Sequence, residues 1–294
     1  MSRALGGELW ATFVPLWSDL RRIAPGLKLA GGYGLFLKQQ WLALPTSAGV
    51  RPLVPLDRWE DAIPRVTKDI DLVAEVGLIG SATVQEGVDA VLKKHGFEVV
   101  PANARWQFER KLEGDRSVLV DFHAPPPDQE GQGVKVVSRR VKPHPSLGIG
   151  IHGRENPMAV GADLHPFTFL LEGVEIVLPN PVTLVLMKLA AAKDQHENSQ
   201  DASKTREERD VASGQARKHA ADLFRSTAMM TREEHDQVAA VLDTAKKSDA
   251  FGKGKTIFAE LFGSAGSWGN LVVSPAWKTG DHREIQRVLA GWFH

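Results

Sequence analysis

Cysteine is absent from this chain of 294 residues, which excludes disulfides and thiolate metal sites and leaves nothing that points to an oxidising compartment. No stretch reaches the roughly 18 uninterrupted apolar residues that a membrane span needs. Met1 to Glu8 lacks the apolar core of a signal peptide, so the expected compartment is the cytoplasm, with no membrane partner. Net charge is missing too. Lys and Arg number 36 against 36 Asp and Glu, so no global basic field draws the chain to nucleic acid or anionic lipid. A hydrophobic fraction of 43% over this length supports a real core, in one large domain or two modest ones.

The chemistry-bearing stretch runs from Lys28 to Leu72. Thr67 to Val73 reads as a strand, and side chains alternate along a strand, so Asp69 and Asp71 share one face while Ile70 and Leu72 share the other. Two carboxylates on one face suit a hard cation such as Mg²⁺. An exposed strand face that happens to be acidic is the plain alternative. Upstream, Leu27 to Ala30 has the look of a short strand and Tyr33 to Leu44 of a helix, which places Gly31 and Gly32 at the turn between them. There the missing Cβ lets backbone approach a ligand, and the free N–H groups of a helix start favour an anion. A third acid, Asp121, lies in the apolar run Ser117 to His123. If its strand lies beside that of Asp69 and Asp71, three acids surround divalent metal that can activate an attacking hydroxyl and stabilise the leaving oxygen, in sites where two ions stand about 3.5–4 Å apart.

Around these residues the pattern is α+β. Glu8 to Ile23 carries Leu9, Phe13, Leu16, Trp17 and Leu20 at helical spacing and stops before Pro25-Gly26. The proline-rich stretch from Pro45 to Pro64 is expected as an extended loop over the site. Ser81 is a plausible N-cap for a helix that Gly96 closes, and strands are expected at 97–100, 105–112, 134–141, 158–164 and 174–178. His144, His152 and His165 have no metal-ligand spacing and read as loop or surface histidines. Asn180-Pro181 is a helix start, and from there the chain turns helical, with a solvated run at 194–218 and a glycine-rich break at 252–269. The expected domains are 1–179 and 180–294. Trp268, Trp277 and Trp292 read as core.

In order, Gly31-Gly32-Tyr33-Gly34, then Arg65 to Leu72 with Asp69 and Asp71, then Val120-Asp121-Phe122 resemble the nucleotidyltransferase superfamily, and more narrowly the AbiEii-type nucleotidyltransferase-like proteins. The resemblance extends over roughly 27–225. Pro181 to Ala191 looks like the helix that in this family offers a lysine to the nucleotide, here Lys188. Lys218 to Leu223 resembles its Lys-Asp-x-x-Asp-Leu element, with His219 at the first acid and Lys218 and Asp222 in place. Superfamily members generally carry Gly-Ser at the turn. Tyr33 after Gly32 departs from that.

The resemblance implies a nucleotidyltransferase-like mixed β-sheet with packed helices, followed by a C-terminal helical domain that completes the nucleotide site. It implies transfer of a nucleoside monophosphate from a nucleoside triphosphate to an acceptor such as tRNA or a protein. Asp69, Asp71 and Asp121 would hold Mg²⁺, and Asp121 would help the acceptor lose its proton. Gly31, Gly32, Arg65, Lys188, Lys218 and Asp222 would bind the nucleotide, with Lys188 also offsetting charge in the transition state. The family includes toxins of toxin-antitoxin pairs, so an antitoxin partner is implied as well. Two other readings stay open: an idle binding module on the same fold, and a metal-dependent glycosyltransferase using Asp-x-Asp.

Overall fold

The structure, a computed structural model, describes residues 7–47, 49–60, 69–127 and 133–294. The chain is α+β and divides into two compact units, Met1–Trp41 with Arg65–Pro179 and Leu42–Pro64 with Asn180–His294. The segment following α2 (Gly31–Leu42) is thus grouped with the helices that begin at Asn180.

The first unit opens with α1 (Glu8–Ile23), whose apolar stripe of Leu9, Phe13, Leu16, Trp17 and Leu20 is buried. Phe13, Leu16 and Leu20 are 1% exposed or less, worth about 1.5–3 kcal/mol each. Arg21 and Arg22 occupy its last turn, where a cation suits the helix dipole. The helix closes with the Ala24 N–H on the Leu20 carbonyl at 2.7 Å, just before Pro25-Gly26. α4 (Ala82–Lys94) packs against α1, and Ser81 caps it as its spacing predicts. The approach is close at Gly87, where any Cβ would stand 2.6 Å from the Ile23 side chain.

A mixed sheet lies at the centre of this unit. β1 (Lys28–Leu29) runs antiparallel to β2 (Asp69–Val73), and β2 runs parallel to β5 (Ser117–Ala124). On its other side β5 takes β4 (Gln107–Lys111) antiparallel, and at its last residues β8 (Gly153–Glu155) parallel. β7 (Arg140–Pro143) and β6 (Val134–Val136) continue outward, and β3 (Glu98–Val99) pairs with β4. Parallel neighbours need a crossover, and α3 (Val76–Gly80), α4 and the β3–β4 hairpin provide it. Ile70, Leu72, Val118, Val120 and Phe122 turn to the buried face. A separate hairpin, β9 (Phe167–Leu171) and β10 (Val174–Leu178), ends the unit.

Three local expectations for this unit change. The stretch 134–141 is not one strand: β6 ends at Val136 and β7 starts at Arg140, with Ser138 and Arg139 at positive φ turning the chain back between them. Residues 158–164 form no strand, because Asn156 caps a short 3₁₀ turn at Pro157–Ala159 instead. His152 is a buried residue, its Nδ1 2.9 Å from the Ala104 carbonyl.

In the second unit α5 (Pro181–Gln200) and α6 (Arg206–Ala228) pack along their lengths, and α7 (Arg232–Ala245), α8 (Asp249–Phe262), α9 (Trp268–Val273) and α10 (Thr279–Phe293) follow. Thr205 with Glu208 and Thr231 with Glu234 form reciprocal capping boxes at the starts of α6 and α7. Most of 194–218 is therefore helix, broken only between Gln200 and Arg206. The glycine-rich stretch expected as a break is largely α8, where Ser248 caps the start and Phe251, Phe258, Leu261 and Phe262 are buried. Residues 49–60 of the proline-rich segment dock on these helices rather than standing as a free loop: Leu53 N–H donates to the Met230 carbonyl at 2.9 Å, and Trp59 packs on Trp277 with ring centroids 4.7 Å apart. Trp277 and Trp292 are core residues, while Trp268 is half-buried against His196. No helix among the described residues is long and apolar enough to cross a membrane.

Candidate metal centre

Register assembles the site. In the parallel pairing of β2 with β5, Asp69 stands opposite Leu119, Asp71 opposite Asp121 and Val73 opposite His123. Side chains alternate, so Asp69, Asp71, Asp121 and His123 share one face, half-buried, while Ile70, Leu72, Val120 and Phe122 anchor the other. One donor atom each from Asp71, Asp121 and His123 falls within 4.8 Å of the other two, so this trio could hold a metal ion. Asp69 occupies the same face one pleat away, outside that trio.

The glycine turn closes over the same carboxylates. Gly31 begins α2 with φ +65°, a region that L side chains rarely adopt. A Cβ there would stand 1.7 Å from Asp71 Oδ2, so only glycine lets backbone and carboxylate coexist. The Ala30 N–H donates to the Asp71 carbonyl at 2.8 Å and clamps the turn onto β2. No acidic side chain lies in the first turn of α2, and the positive end of this 12-residue helix starts beside Asp71. Gly32 follows in the same turn, buried. Tyr33 points into the core, edge-on to Phe13 and stacked on Phe36, with burial pushing its phenol well above the usual range.

Electrostatics mark Asp121. Burial, then the charge of Asp71 and more weakly that of Asp69, pushes its carboxyl up to about 6, against opposing pulls from a Gln107 hydrogen bond and from His123. Its Oδ1 is buried with no hydrogen-bond partner. His123 Nε2 lies 3.4 Å from Asp71 Oδ1. Carboxylates that repel one another, an orphaned carboxylate oxygen and an imidazole on one face form a donor set that a divalent cation would satisfy.

Gln107 and His123 escaped the sequence reading. His123 carried a signal, since it lies two residues beyond Asp121 on the same strand and so on the same face. Gln107 carried none, because its place beside Asp121 depends on the β4–β5 register.

Arg65, with Lys68, lies outside the described residues. In the second unit Lys188 and Asp222, drawn from two separate helices, meet with Nζ 2.8 Å from Oδ2, their side chains 8% and 2% exposed. The Lys188 ammonium is thus turned inward to a carboxylate rather than held at the surface. Lys218 is half-buried on α6.

Comparison with protein-family models, with curated proteins and with solved structures gave no match to this chain. The fold and site therefore define it by themselves as an α+β protein with a carboxylate–imidazole cluster suited to a metal ion.

Proposed function

We propose that the chain is a metal-dependent nucleotidyltransferase with a nucleotidyltransferase-like first unit. The observation that carries this reading is the stacking of three elements at one point: the Gly31 helix start, the Asp69/Asp71 strand and Asp121 in register beside it. An idle scaffold has no physical reason to keep three mutually repelling carboxylates together.

In this reading Asp69, Asp71 and Asp121 hold a divalent cation such as Mg²⁺, which when bound offsets triphosphate charge. The amides at Gly31 and Gly32 receive phosphate oxygens, as a helix start does. The acceptor oxygen attacks the α-phosphorus, the new P–O bond forms, the bond to the bridging oxygen breaks and pyrophosphate leaves. Asp121 would help the acceptor oxygen lose its proton. Lys188, Lys218, Asp222 and Arg65 are assigned to the nucleotide by the family likeness. The acceptor is a hydroxyl or phosphate of tRNA or of a protein, the compartment the cytoplasm, and a toxin's role with a protein antitoxin follows from the same likeness.

Calorimetry against each of the four nucleoside triphosphates, with and without Mg²⁺, is the first test, beside transfer of an α-phosphate label to total tRNA and to protein. Metal-dependent binding and label transfer, both lost in Asp69→Ala/Asp71→Ala, are the expected result. A folded wild type that neither binds a triphosphate nor transfers label overturns the proposal.

A further inference from the structure

His123 gives the trio a chemistry that three aspartates would not have. Mg²⁺ demands a near-octahedral oxygen shell and sheds water reluctantly, whereas imidazole suits transition ions. His123 is placed for ligation by the strand itself. It lies two residues from Asp121 on β5, and Asp121 is the register partner of Asp71, so the three donors share one face through backbone pairing.

The rival reading is an ordinary His–Asp ion pair. At 3.4 Å, Nε2 to Asp71 Oδ1 exceeds the roughly 2.7–2.9 Å of a charge-assisted hydrogen bond. That reading also leaves Asp121 Oδ1 buried and unpartnered. One ion answers both observations, since one donor atom from each of the three residues lies within 4.8 Å of the other two.

We propose that Asp71, Asp121 and His123 form a mixed nitrogen–oxygen centre that selects a transition divalent cation, of which Mn²⁺ is the probe, over Mg²⁺, with His123 as the selecting ligand. The inference rests on the metal-dependent reading above and refines its cation. Asp69 lies on the same face outside the trio and is not a ligand in this scheme.

The test uses the full chain and the metal alone, without nucleotide. Mn²⁺ and Mg²⁺ affinities are measured for wild type, His123→Asn and Asp71→Asn, and pulsed electron paramagnetic resonance of bound Mn²⁺ reads nitrogen hyperfine coupling from a directly bound imidazole. Circular dichroism verifies that each variant folds. The wild type is expected to show the coupling and His123→Asn to lose it, with the Mn²⁺-to-Mg²⁺ affinity ratio falling by about tenfold or more. Asp71→Asn is expected to lose binding of both ions.

Bound Mn²⁺ without nitrogen coupling in the wild type overturns the proposal, as does an unchanged ratio in folded His123→Asn or no Mn²⁺ binding at all. Should His123→Asn not fold, the wild-type coupling decides alone. Intact coupling with no triphosphate binding would sink the transferase reading and leave the metal centre standing. Mg²⁺-dependent transfer without nitrogen coupling would do the reverse.

Discussion

The Cβ position of Gly31 falls 1.7 Å from Oδ2 of Asp71, so the residue that opens α2 and the carboxylate at the middle of β2 occupy adjoining space that admits no side chain between them. Gly31→Ala adds a methyl into that space and asks alanine to hold φ +65°. The expected result is a loss of about 1–3 kcal/mol in stability. Metal affinity is expected to fall by about tenfold or more as the carboxylate is displaced. Denaturant titration and metal calorimetry read the two effects separately, and an alanine variant with wild-type metal affinity would contradict the placement of Asp71.

Asp121→Asn should trade function for stability. Its carboxyl is held up to about 6, so above the ordinary value near 3.8 the folded state retains a proton that the unfolded chain releases. Stability from this group therefore falls as pH rises from about 4 to about 6, and at pH 8 the ionised carboxylate is a net burden. Asp121→Asn is expected to stabilise the metal-free protein at pH 8 by about 1–2 kcal/mol while weakening metal binding. Thermal melting in chelator, at pH 8 and again at pH 4, checks this. An equal shift at both values would mean that charge is not the cause.

His152 gives the opposite slope. Burial, the largest cause, with the positive charges of Arg140, Arg105 and Lys142, pulls its imidazole down to about 4, against the Ala104 carbonyl that holds Nδ1. Between about 6.5 and 4 the unfolded chain binds a proton that the folded one refuses, so this contribution is whole above 6.5 and is lost as pH falls through that window. The drop in melting temperature from pH 7 to pH 4.5 should be smaller in His152→Asn, which cannot titrate. Identical pH profiles in the two proteins would remove His152 as a source.

Lys188 and Asp222 form a buried pair in the second unit. Removing one partner strands a charge, so Lys188→Met and Asp222→Leu should each cost about 3–5 kcal/mol, while the double variant should recover much of the loss. Denaturation midpoints across the cycle measure the coupling. Two small, additive losses would show that solvent reaches the pair.

The elements that were legible in the sequence are those whose signals are local. α1 follows from the three-and-four spacing of Leu9, Phe13, Leu16 and Leu20, and the starts of α4 and α5 follow from Ser81 and Asn180-Pro181, whose side chains accept the helix-start amides of Val84 and Thr183. Reading glycines as breakers failed at α8, where Gly254 packs against Leu186 and the burial of Phe251, Phe258 and Leu261 outweighs the intrinsic penalty of glycine in a helix. The strand expected at 158–164 failed for the complementary reason, since Asn156 offers its side chain to the Met158 amide and starts a turn.

By itself the sequence determined that Asp69 and Asp71 share a face, that Asp121 and His123 share a face, and that a glycine stands where a strand passes into a helix. Each of these depends only on a period of two or on the conformational freedom of one residue. Tertiary structure alone decided that β5 lies parallel beside β2 with Asp121 opposite Asp71, that Gln107 reaches Asp121, and that Lys188 meets Asp222. Those pairings join residues far apart in the chain, and strand register and helix packing are chosen by the burial of Ile70, Leu72, Val120 and Phe122 together, which no short window of sequence contains.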